Sequence, residues 1–456
     1  MSGTQGLNAA ERVLSWFTKV RPGEGRCVLL LCLQALTLMT AYYLIRPVRE
    51  ALILTEGGAE LRSYAVGVQA ALLILIIPAY GMLIRRVDSS RVFQRACLFF
   101  ACNLVILVLL GQSGVRLGFP FFIWASIFGV MVVTQFWAFA SDLLNVASGQ
   151  RLFGVIAIGL SCGAWIGARL STAGFELLGP HGLMLASAAV LIGAAILSRY
   201  AHSVVPAGSR SVPTTDEPPR SAQWLGGFAV IGRSRYLVCI AALVLLLNWV
   251  TSTGEFVLSD WLAETARREA PHAQAAFIGQ FMGNYCASIT LVGFLIQLLL
   301  VSRVMVVAGL VRALMVTPIA FFAGYLLIGI VPVFTLVQSV LIVQRSLDYS
   351  LLNTARSALL LPTSREAKYH AKTAIDTFFY RAGDLLSTLS IFVGLKLIDS
   401  SRMQFVWLII VLSATMTLIA WLIGREYSRR FVPADDRSAG SALGAAGTRG
   451  SVLLQQ

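Results

Sequence analysis

Long runs of residues without a single charge set the strongest constraint on how this chain can fold. Residues 27–45, 63–84, 96–112 and 117–141 contain no Asp, Glu, Lys or Arg. Each run has about the length of a transmembrane helix, which needs about 20 predominantly apolar residues. Charged residues make up only 13% of the chain, against roughly 25% in soluble domains. A soluble fold would lack the polar surface it needs, so we predict an all-α integral membrane protein.

The same criterion predicts twelve transmembrane helices, spans 1 to 12, with six on either side of one polar linker. The first six are 27–45, 63–84, 96–112, 117–141, 152–172 and 183–198. The last six are 236–255, 276–302, 310–330, 333–353, 371–395 and 403–424. The predicted organisation is a cytoplasmic N-terminal segment (1–26), a first half (27–200), a cytoplasmic linker (201–235), a second half (236–424) and a disordered cytoplasmic tail (425–456).

The distribution of basic residues predicts the orientation. Lys and Arg number 36 against 22 Asp and Glu, a net charge of +14, and most of them flank the spans on one side. The other side holds few, among them Arg62 and Arg402. Cytoplasmic loops of membrane proteins collect Lys and Arg, so both termini and the linker are predicted to be cytoplasmic. Since topology accounts for the basic excess, we expect no nucleic-acid partner.

The sequence offers no pattern that indicates catalysis or metal binding. The seven cysteines have no CxxC or Cys/His spacing, and the four histidines share no spacing with carboxylates or cysteines. Nothing resembles a nucleophile elbow or a phosphate-binding glycine loop. We therefore expect no enzyme, no catalytic residue, no metal and no cofactor. The expected partners are a small-molecule anionic solute and the lipid bilayer, and the oligomeric state stays open.

Six plus six spans around a cytoplasmic linker is the layout of the major facilitator superfamily. In that superfamily two halves rock around a substrate site near the bilayer midplane. Between spans 2 and 3, the stretch 81–91 (GMLIRRVDSSR) either resembles a degraded form of the superfamily's loop motif or is an ordinary basic loop. The layout thus predicts a major-facilitator-like fold.

Two local features surround the start of span 5. Asp142 and Arg151 flank the short turn between spans 4 and 5, where a local salt bridge is predicted to fix the turn. Span 5 itself carries four glycines, the last three at four-residue spacing: Gly154, Gly159, Gly163 and Gly167. Small residues at that interval form one helix face and let another helix approach closely. We predict a packing role for them.

Ionisable residues within spans 10 and 11 are the first candidates for function, because charges at membrane depth are costly and usually functional. Span 10 carries Arg345 and Asp348; span 11 carries Asp376, Arg381 and Asp384. In both helices an Arg precedes an Asp by three residues, which puts the two on one face. Such pairs could neutralise each other or exchange partners as a transporter changes state.

The ends of spans 1 and 7 carry further charges. Arg46 and Arg49 share a helix face at the end of span 1 and are followed by Glu50, and Glu255 ends span 7. Two guanidinium groups facing a cavity would suit a phosphate or a carboxylate, because Arg offers bidentate donors. The alternative is a position at the external interface, where long side chains reach water.

Several of these stretches resemble the nucleotide exchange transporters, the ATP:ADP antiporter family of plastids and intracellular bacteria with relatives in free-living bacteria. The most specific match is in span 11, which reads REAKYHAK (365–372), AID (374–376) and YRAGD (380–384). Further similar stretches are YLIRPVRE (43–50), FWAFASD (136–142) and RSLDY (345–349). The resemblance implies a major-facilitator-like fold in a bacterial inner membrane, and exchange of ATP against ADP.

The chain also departs from that family. A Lys that the family places after the first-span signature is Arg49 here, which keeps the charge. The Glu that the family carries in span 4 has no counterpart in 123–126, and the family's Lys in span 11 falls near Asp384, which reverses the sign. The resemblance therefore implies the fold more strongly than the ATP/ADP substrate.

The leading hypothesis is a secondary transporter of the nucleotide-exchanger-like type that moves an organic anion, such as a nucleotide or another phosphorylated compound. The predicted substrate-binding residues are Arg46, Arg49 and Arg345. The residues predicted to couple or gate transport are Glu50, Glu255, Asp348, Arg381 and Asp384.

Two rival hypotheses remain open. One is a proton-coupled major facilitator transporter for a neutral or cationic solute, whose arginines are satisfied internally by aspartates. The other is a membrane sensor that kept the fold and does not transport. The linker and the tail are short and contain no recognisable output domain, which argues against the sensor.

Overall fold

The computed structural model describes residues 24–83, 89–144, 146–204, 220–364 and 370–431. Eight helices of this part of the chain are long and apolar enough to cross a membrane. Two of them, Gly25–Leu83 and Val146–Val204, are 59 residues long. At 1.5 Å per residue each measures about 88 Å, whereas the hydrocarbon core of a bilayer is about 30 Å thick. Each must therefore cross twice.

A glycine in the left-handed backbone region divides each of the two long helices. Gly58 has φ 64° and Gly179 has φ 65°, a conformation that glycine adopts without the steric cost of a Cβ. Gly25–Leu83 thus provides spans 1 and 2, and Val146–Val204 provides spans 5 and 6. The predicted hairpins 1–2 and 5–6 are confirmed, with helix rather than loop on both sides of each break.

The remaining spans follow the predicted order. Spans 3, 4, 7, 9 and 12 are the helices Ser89–Gln112, Gly118–Leu143, Arg235–Glu269, Gly309–Ile330 and Arg402–Phe431. Span 8 consists of Gln274–Leu295, the π-helical turn Ile296–Val301 and Ser302–Val307.

Spans 10 and 11 are the two that fall outside the eight apolar helices. Span 10 consists of Phe334–Leu347, the π-helical Asp348–Leu352 and Asn353–Leu359. Span 11 consists of Lys372–Ala374, the π-helical Ile375–Phe379, Tyr380–Val393 and the π-helical Gly394–Ile398. π-Helical turns occur frequently at functional sites, and these two spans also carry the interior charges of the second half.

Several predicted boundaries are corrected. Span 7 runs to Glu269, so Glu255 lies inside the helix and not at its end. Span 12 continues to Phe431, so residues 425–431, predicted to belong to a disordered tail, are helical. The linker contains a helix, Arg220–Gly232. The side chains of the basic stretch 81–91, the residues 365–369 of the span 11 signature and the tail from 432 lie outside the described residues.

The predicted glycine face of span 5 packs directly against the backbone of span 1. A Cβ added to Gly159 or Gly167 would lie 2.6 Å from a carbonyl oxygen of span 1, which leaves no room for a side chain. Gly154 faces open space and takes no part. The contacting pairs are Gly159 with Cys32, Gly163 with Leu36, and Gly167 with Thr40. The packing role is confirmed for the three glycines at four-residue spacing.

Polar contacts join the two six-helix halves near one side of the bundle. Twelve spans return the chain to its starting side, so Gly25 and Phe431 lie on one face, the terminal face, and the breaks at Gly58 and Gly179 on the opposite face. The contacts toward the opposite face are Lys396 with Glu60 (2.8 Å), Thr388 donating to the Ser63 carbonyl (3.0 Å), and Arg169 donating to Asn284 (2.8 Å). The halves are thus closed against each other there.

Candidate functional site

A chain of ion pairs, which we call the central network, begins in the first half. Glu50 Oε1 lies 2.6 Å from Arg49 Nη2, and Glu50 Oε2 lies 2.6 Å from Arg62 Nε. All three side chains are at most 11% exposed. Both oxygens of one buried carboxylate therefore bind guanidinium groups, one from span 1 and one from span 2.

The network crosses to the second half through Arg62. Its Nη2 donates to Glu255 Oε2 on span 7 at 2.9 Å, and Glu255 Oε1 accepts from Arg345 on span 10. Arg345 Nη1 lies 3.8 Å from Asp348 Oδ2. The complete central network is Arg49, Glu50, Arg62, Glu255, Arg345 and Asp348. Three arginines and three acids give it a formal charge of zero.

Span 4 holds Arg49 in place from the side away from Glu50. Arg49 Nη1 donates to Ser126 Oγ at 2.9 Å, and its guanidinium carbon lies 4.4 Å from the centre of the Phe122 ring. A guanidinium over an aromatic face is attracted by the ring quadrupole. Arg49 is therefore fixed by a carboxylate, a hydroxyl and a ring.

A second buried pair lies on span 11. Arg381 Nη1 is 3.3 Å from Asp384 Oδ2, and Ser252 Oγ of span 7 donates to Asp384 Oδ1 at 2.5 Å. Asp384 is 6% exposed. Together with the Arg345–Asp348 contact, this confirms that the Arg and Asp three residues apart meet on one face in both helices. In a further pair, Arg356 Nη2 lies 3.4 Å from Asp376 Oδ1. This pair is nearer the terminal face.

Arg46 has a different environment from the other interior arginines. Its Nη1 donates to the hydroxyl of Tyr43 at 3.0 Å, and its guanidinium carbon lies 5.3 Å from the centre of that ring. Cys286 of span 8 and Tyr349 of span 10 are within electrostatic range. Within the described ranges no carboxylate pairs with Arg46. Its charge thus remains unneutralised between the two halves.

Tyr43 and Tyr349 lie near Arg46, and Tyr380 of span 11 lies near Tyr349. We call these four residues the tyrosine pocket: Arg46, Tyr43, Tyr349 and Tyr380. Tyr349 is 46% exposed although it lies within span 10. It is within electrostatic range of Tyr43 on span 1 and of Tyr380 on span 11, so its exposed side faces the space between the halves. The central network adjoins the pocket, because Arg345 lies 5.8 Å from the Tyr349 ring.

The structure brings together most of the predicted site residues and adds some that the sequence does not reveal. The sequence predicts an external loop position for Arg62, because it precedes the apolar run of span 2 by one residue. The tyrosines carry no charge, so a search for ionisable residues passes over them. The sequence does indicate that Tyr349 belongs to the site, because Tyr349 lies four residues after Arg345 and therefore on the same helix face.

The turn between spans 4 and 5 is fastened to the start of span 1. Arg151 Nη2 lies 3.0 Å from Glu24 Oε1, which also accepts from Ser148 Oγ at 2.9 Å. Asp142 is exposed at the end of span 4. Glu24 is thus the partner of Arg151 that the sequence does not identify, and the predicted salt bridge between Asp142 and Arg151 stays a prediction.

Comparison by sequence matches the chain to no protein family and to no curated protein. The resemblance to the nucleotide exchangers therefore stays a prediction. Comparison of structures does find matches, and these cover most of both chains.

The nucleoside transporter NupG matches with a TM-score of 0.63 at 15% identity, over 87% of this chain and 98% of that one. An auto-inhibited POT family peptide transporter matches with 0.64 at 12%, over 90% and 98%. A bacterial homologue of the iron transporter ferroportin in the inward-facing state matches with 0.62 at 10%, over 88% and 98%. Identities this low establish the fold alone. Over the described residues, the protein has an all-α membrane fold with twelve spans in two six-helix halves, a fold like that of these major-facilitator-like transporters.

Proposed function

We propose that this chain is a secondary active transporter that moves an organic anion across the membrane by alternating access. The observation that carries the proposal is Arg46, whose guanidinium lies between the two halves and, among the described residues, has only the Tyr43 hydroxyl as a hydrogen-bond partner. An unneutralised charge at membrane depth is costly, and neither topology nor packing requires one there. An anion that pairs with Arg46 during transport accounts for it.

The other predicted residues take separate roles. Arg49 and Arg345 already have carboxylate partners, so in our proposal they contact the anion only when the central network rearranges. Glu50, Glu255 and Asp348 act with them as the gate that closes the opposite face. The Arg381–Asp384 pair couples transport to this switch through protonation of Asp384.

Orientation and substrate class complete the proposal. The terminal face is cytoplasmic, because the basic loops flank it, and the membrane is the inner membrane of a bacterium. Nucleotides and other phosphorylated compounds are the first candidates for the anion, on the resemblance of spans 1, 10 and 11 to the nucleotide exchangers.

The test is uptake of labelled organic anions by proteoliposomes that contain the purified protein, compared with Arg46→Lys and Arg46→Gln. We expect uptake by the wild type, reduced uptake by Arg46→Lys and none by Arg46→Gln, because only a cation at this position can pair with the anion. Normal uptake by Arg46→Gln would contradict the binding role.

A second candidate is a proton-coupled transporter of a neutral or cationic solute. The observation that favours it is the internal pairing of Arg49, Arg62 and Arg345 with carboxylates, which leaves these arginines with no need of an anionic ligand. NupG, one of the structural matches, is a nucleoside transporter. Competition distinguishes the two: excess organic anion inhibits uptake by an anion transporter and has no effect on a carrier for neutral solutes.

A further inference from the structure

The balance of charges inside the spans limits the charge of the substrate. We infer that the transported solute is an organic monoanion whose single negative charge pairs with Arg46. This inference rests on the proposed anion transport and narrows its substrate class to monoanions, which excludes ATP, ADP and other nucleotides that carry two or more negative charges. The support comes from how each interior cation is neutralised.

The central network contributes no net charge to the interior. Its three arginines alternate in space with its three acids, beginning with the two 2.6 Å contacts of Glu50 and ending with the 3.8 Å contact of Asp348. Glu50 and Glu255 each bridge two arginines. Every guanidinium of the network therefore has a carboxylate, and every carboxylate has a guanidinium.

The remaining interior pairs are neutral as well. Arg381 is matched by Asp384 and Arg356 by Asp376. Besides Arg46, the described spans hold one further arginine at a comparable depth without a carboxylate, Arg169. It donates to the neutral side chain of Asn284 and is exposed at the seam between spans 5 and 8, outside the tyrosine pocket. The pocket itself thus carries a single positive charge.

A polyanion would meet repulsion in this pocket. Arg345, whose guanidinium lies 5.8 Å from the centre of the Tyr349 ring, contacts two carboxylates, those of Glu255 and Asp348. A second or third negative charge on the solute would draw Arg345 away from these acids and leave them unpaired in a medium that screens charges poorly. A monoanion neutralises Arg46 on binding without first separating the ion pairs of the central network.

The walls of the pocket favour an organic solute over an inorganic ion. The Tyr43 ring lies 5.3 Å from the Arg46 guanidinium and its hydroxyl accepts a hydrogen bond from it. Tyr349 lies nearby, and Tyr380 lies next to Tyr349, so further aromatic side chains adjoin this group. A small inorganic anion is bound by many converging donors, whereas aromatic faces contribute to binding through contact with a carbon skeleton. The solute therefore combines one anionic group with an apolar or planar body.

The experiment measures binding of two compound series to the purified full-length protein by thermal stabilisation. One series is adenosine, 3′,5′-cyclic AMP, AMP and ATP; the other is benzyl alcohol, benzoate, phthalate and trimesate. Within a series the ring is constant, and the charge rises from none to one, two and more. We expect the monoanion to bind best in at least one series, with the dianion at least about tenfold weaker.

Three variants connect the charge preference to Arg46. Arg46→Gln should abolish the preference and bind the neutral member at least as well as the monoanion, whereas Arg46→Lys should keep it. Arg169→Gln removes the same charge from span 5 and should bind like the wild type. A preference that disappears in Arg169→Gln and persists in Arg46→Gln overturns the assignment.

The outcomes separate this inference from the proposed function. Tighter binding of the dianion or polyanion in both series overturns the inference that the substrate is a monoanion, and it remains consistent with anion transport. If only the neutral members bind, or if no member of either series binds, the inference that the substrate is an organic monoanion is overturned. If proteoliposome uptake also shows no dependence on Arg46, anion transport is overturned with it.

Discussion

Arg46 and Arg49 lie one helical turn apart on span 1, yet their surroundings are opposite. Arg49 contacts the Glu50 carboxylate at 2.6 Å and the Ser126 hydroxyl at 2.9 Å. Arg46 donates to the Tyr43 hydroxyl and lies over the Tyr43 ring, and it pairs with no carboxylate among the described residues. At nearly the same depth, one arginine is thus paired with a carboxylate and the other is not. An interior arginine therefore indicates a ligand-binding site only when no carboxylate of the protein pairs with it.

The same contrast extends to the regions that contain them. The central network crosses the interface between the halves through Arg62 and Glu255, so its energy depends on how the halves are arranged. The tyrosine pocket holds one charge and, among the described residues, no carboxylate that pairs with it. Changes in the network should therefore alter stability and conformation, and changes in the pocket should alter ligand binding.

Glu255→Gln should have the largest effect, because it removes the acid that joins the two halves. Arg62 would keep Glu50, and Arg345 would keep only the Asp348 contact at 3.8 Å. Removing one partner from a buried ion pair costs about 3–5 kcal/mol. Thermal unfolding of the purified variant in detergent should show this loss, and a cysteine placed near Gly58 should become more reactive toward a water-soluble thiol reagent.

Glu60→Gln is the matched control, since Glu60 also pairs across the halves, with Lys396. Those side chains are 39% and 51% exposed, and exposed pairs contribute about 0–1 kcal/mol. Equal losses in the two variants would show that burial does not set the strength of the contact and that Glu255 has no special place in closure.

Much of the architecture follows from local sequence, and the reasons are physical. The twelve spans are predictable because hydrocarbon requires long apolar helices. The Arg–Asp pairs of spans 10 and 11 are predictable from helix periodicity alone. The contact of Gly163 with span 1 requires only the four-residue spacing of small residues.

The central network is not predictable in the same way. Glu50, Arg62 and Glu255 come from three helices, and their meeting depends on how those helices converge. Arg62 follows a glycine break that hydropathy alone cannot distinguish from an external loop, so its depth is underestimated from sequence. Hydropathy also cannot show that Tyr349 faces the interior space and not lipid, because an aromatic residue suits both.

Arg49→Gln and Arg46→Gln compare the two regions directly. Arg49→Gln weakens a charged contact to Glu50, and hydrogen bonds to charged groups contribute about 1.5–3 kcal/mol. Arg46→Gln removes a costly charge that has no carboxylate partner among the described residues, so we expect its stability to equal or exceed that of the wild type. Chemical denaturation of both variants under identical conditions measures the difference. A larger loss for Arg46→Gln would mean that Arg46 has a structural partner and is not reserved for a ligand.

Gly167→Ala should disturb the tyrosine pocket more directly than the central network. Its new Cβ would lie 2.6 Å from the Thr40 carbonyl oxygen and 2.9 Å from the Tyr43 Cβ, so span 1 must move away from span 5 at the level of Tyr43. Overpacking of this kind costs about 1–3 kcal/mol. Gly154→Ala is the control: it faces open space and should gain about 0.5–1 kcal/mol from better helix propensity. If displacement of Tyr43 leaves binding of the anion unchanged in Gly167→Ala, the tyrosine does not position Arg46, and the pocket must be defined by Tyr349 and Tyr380 alone.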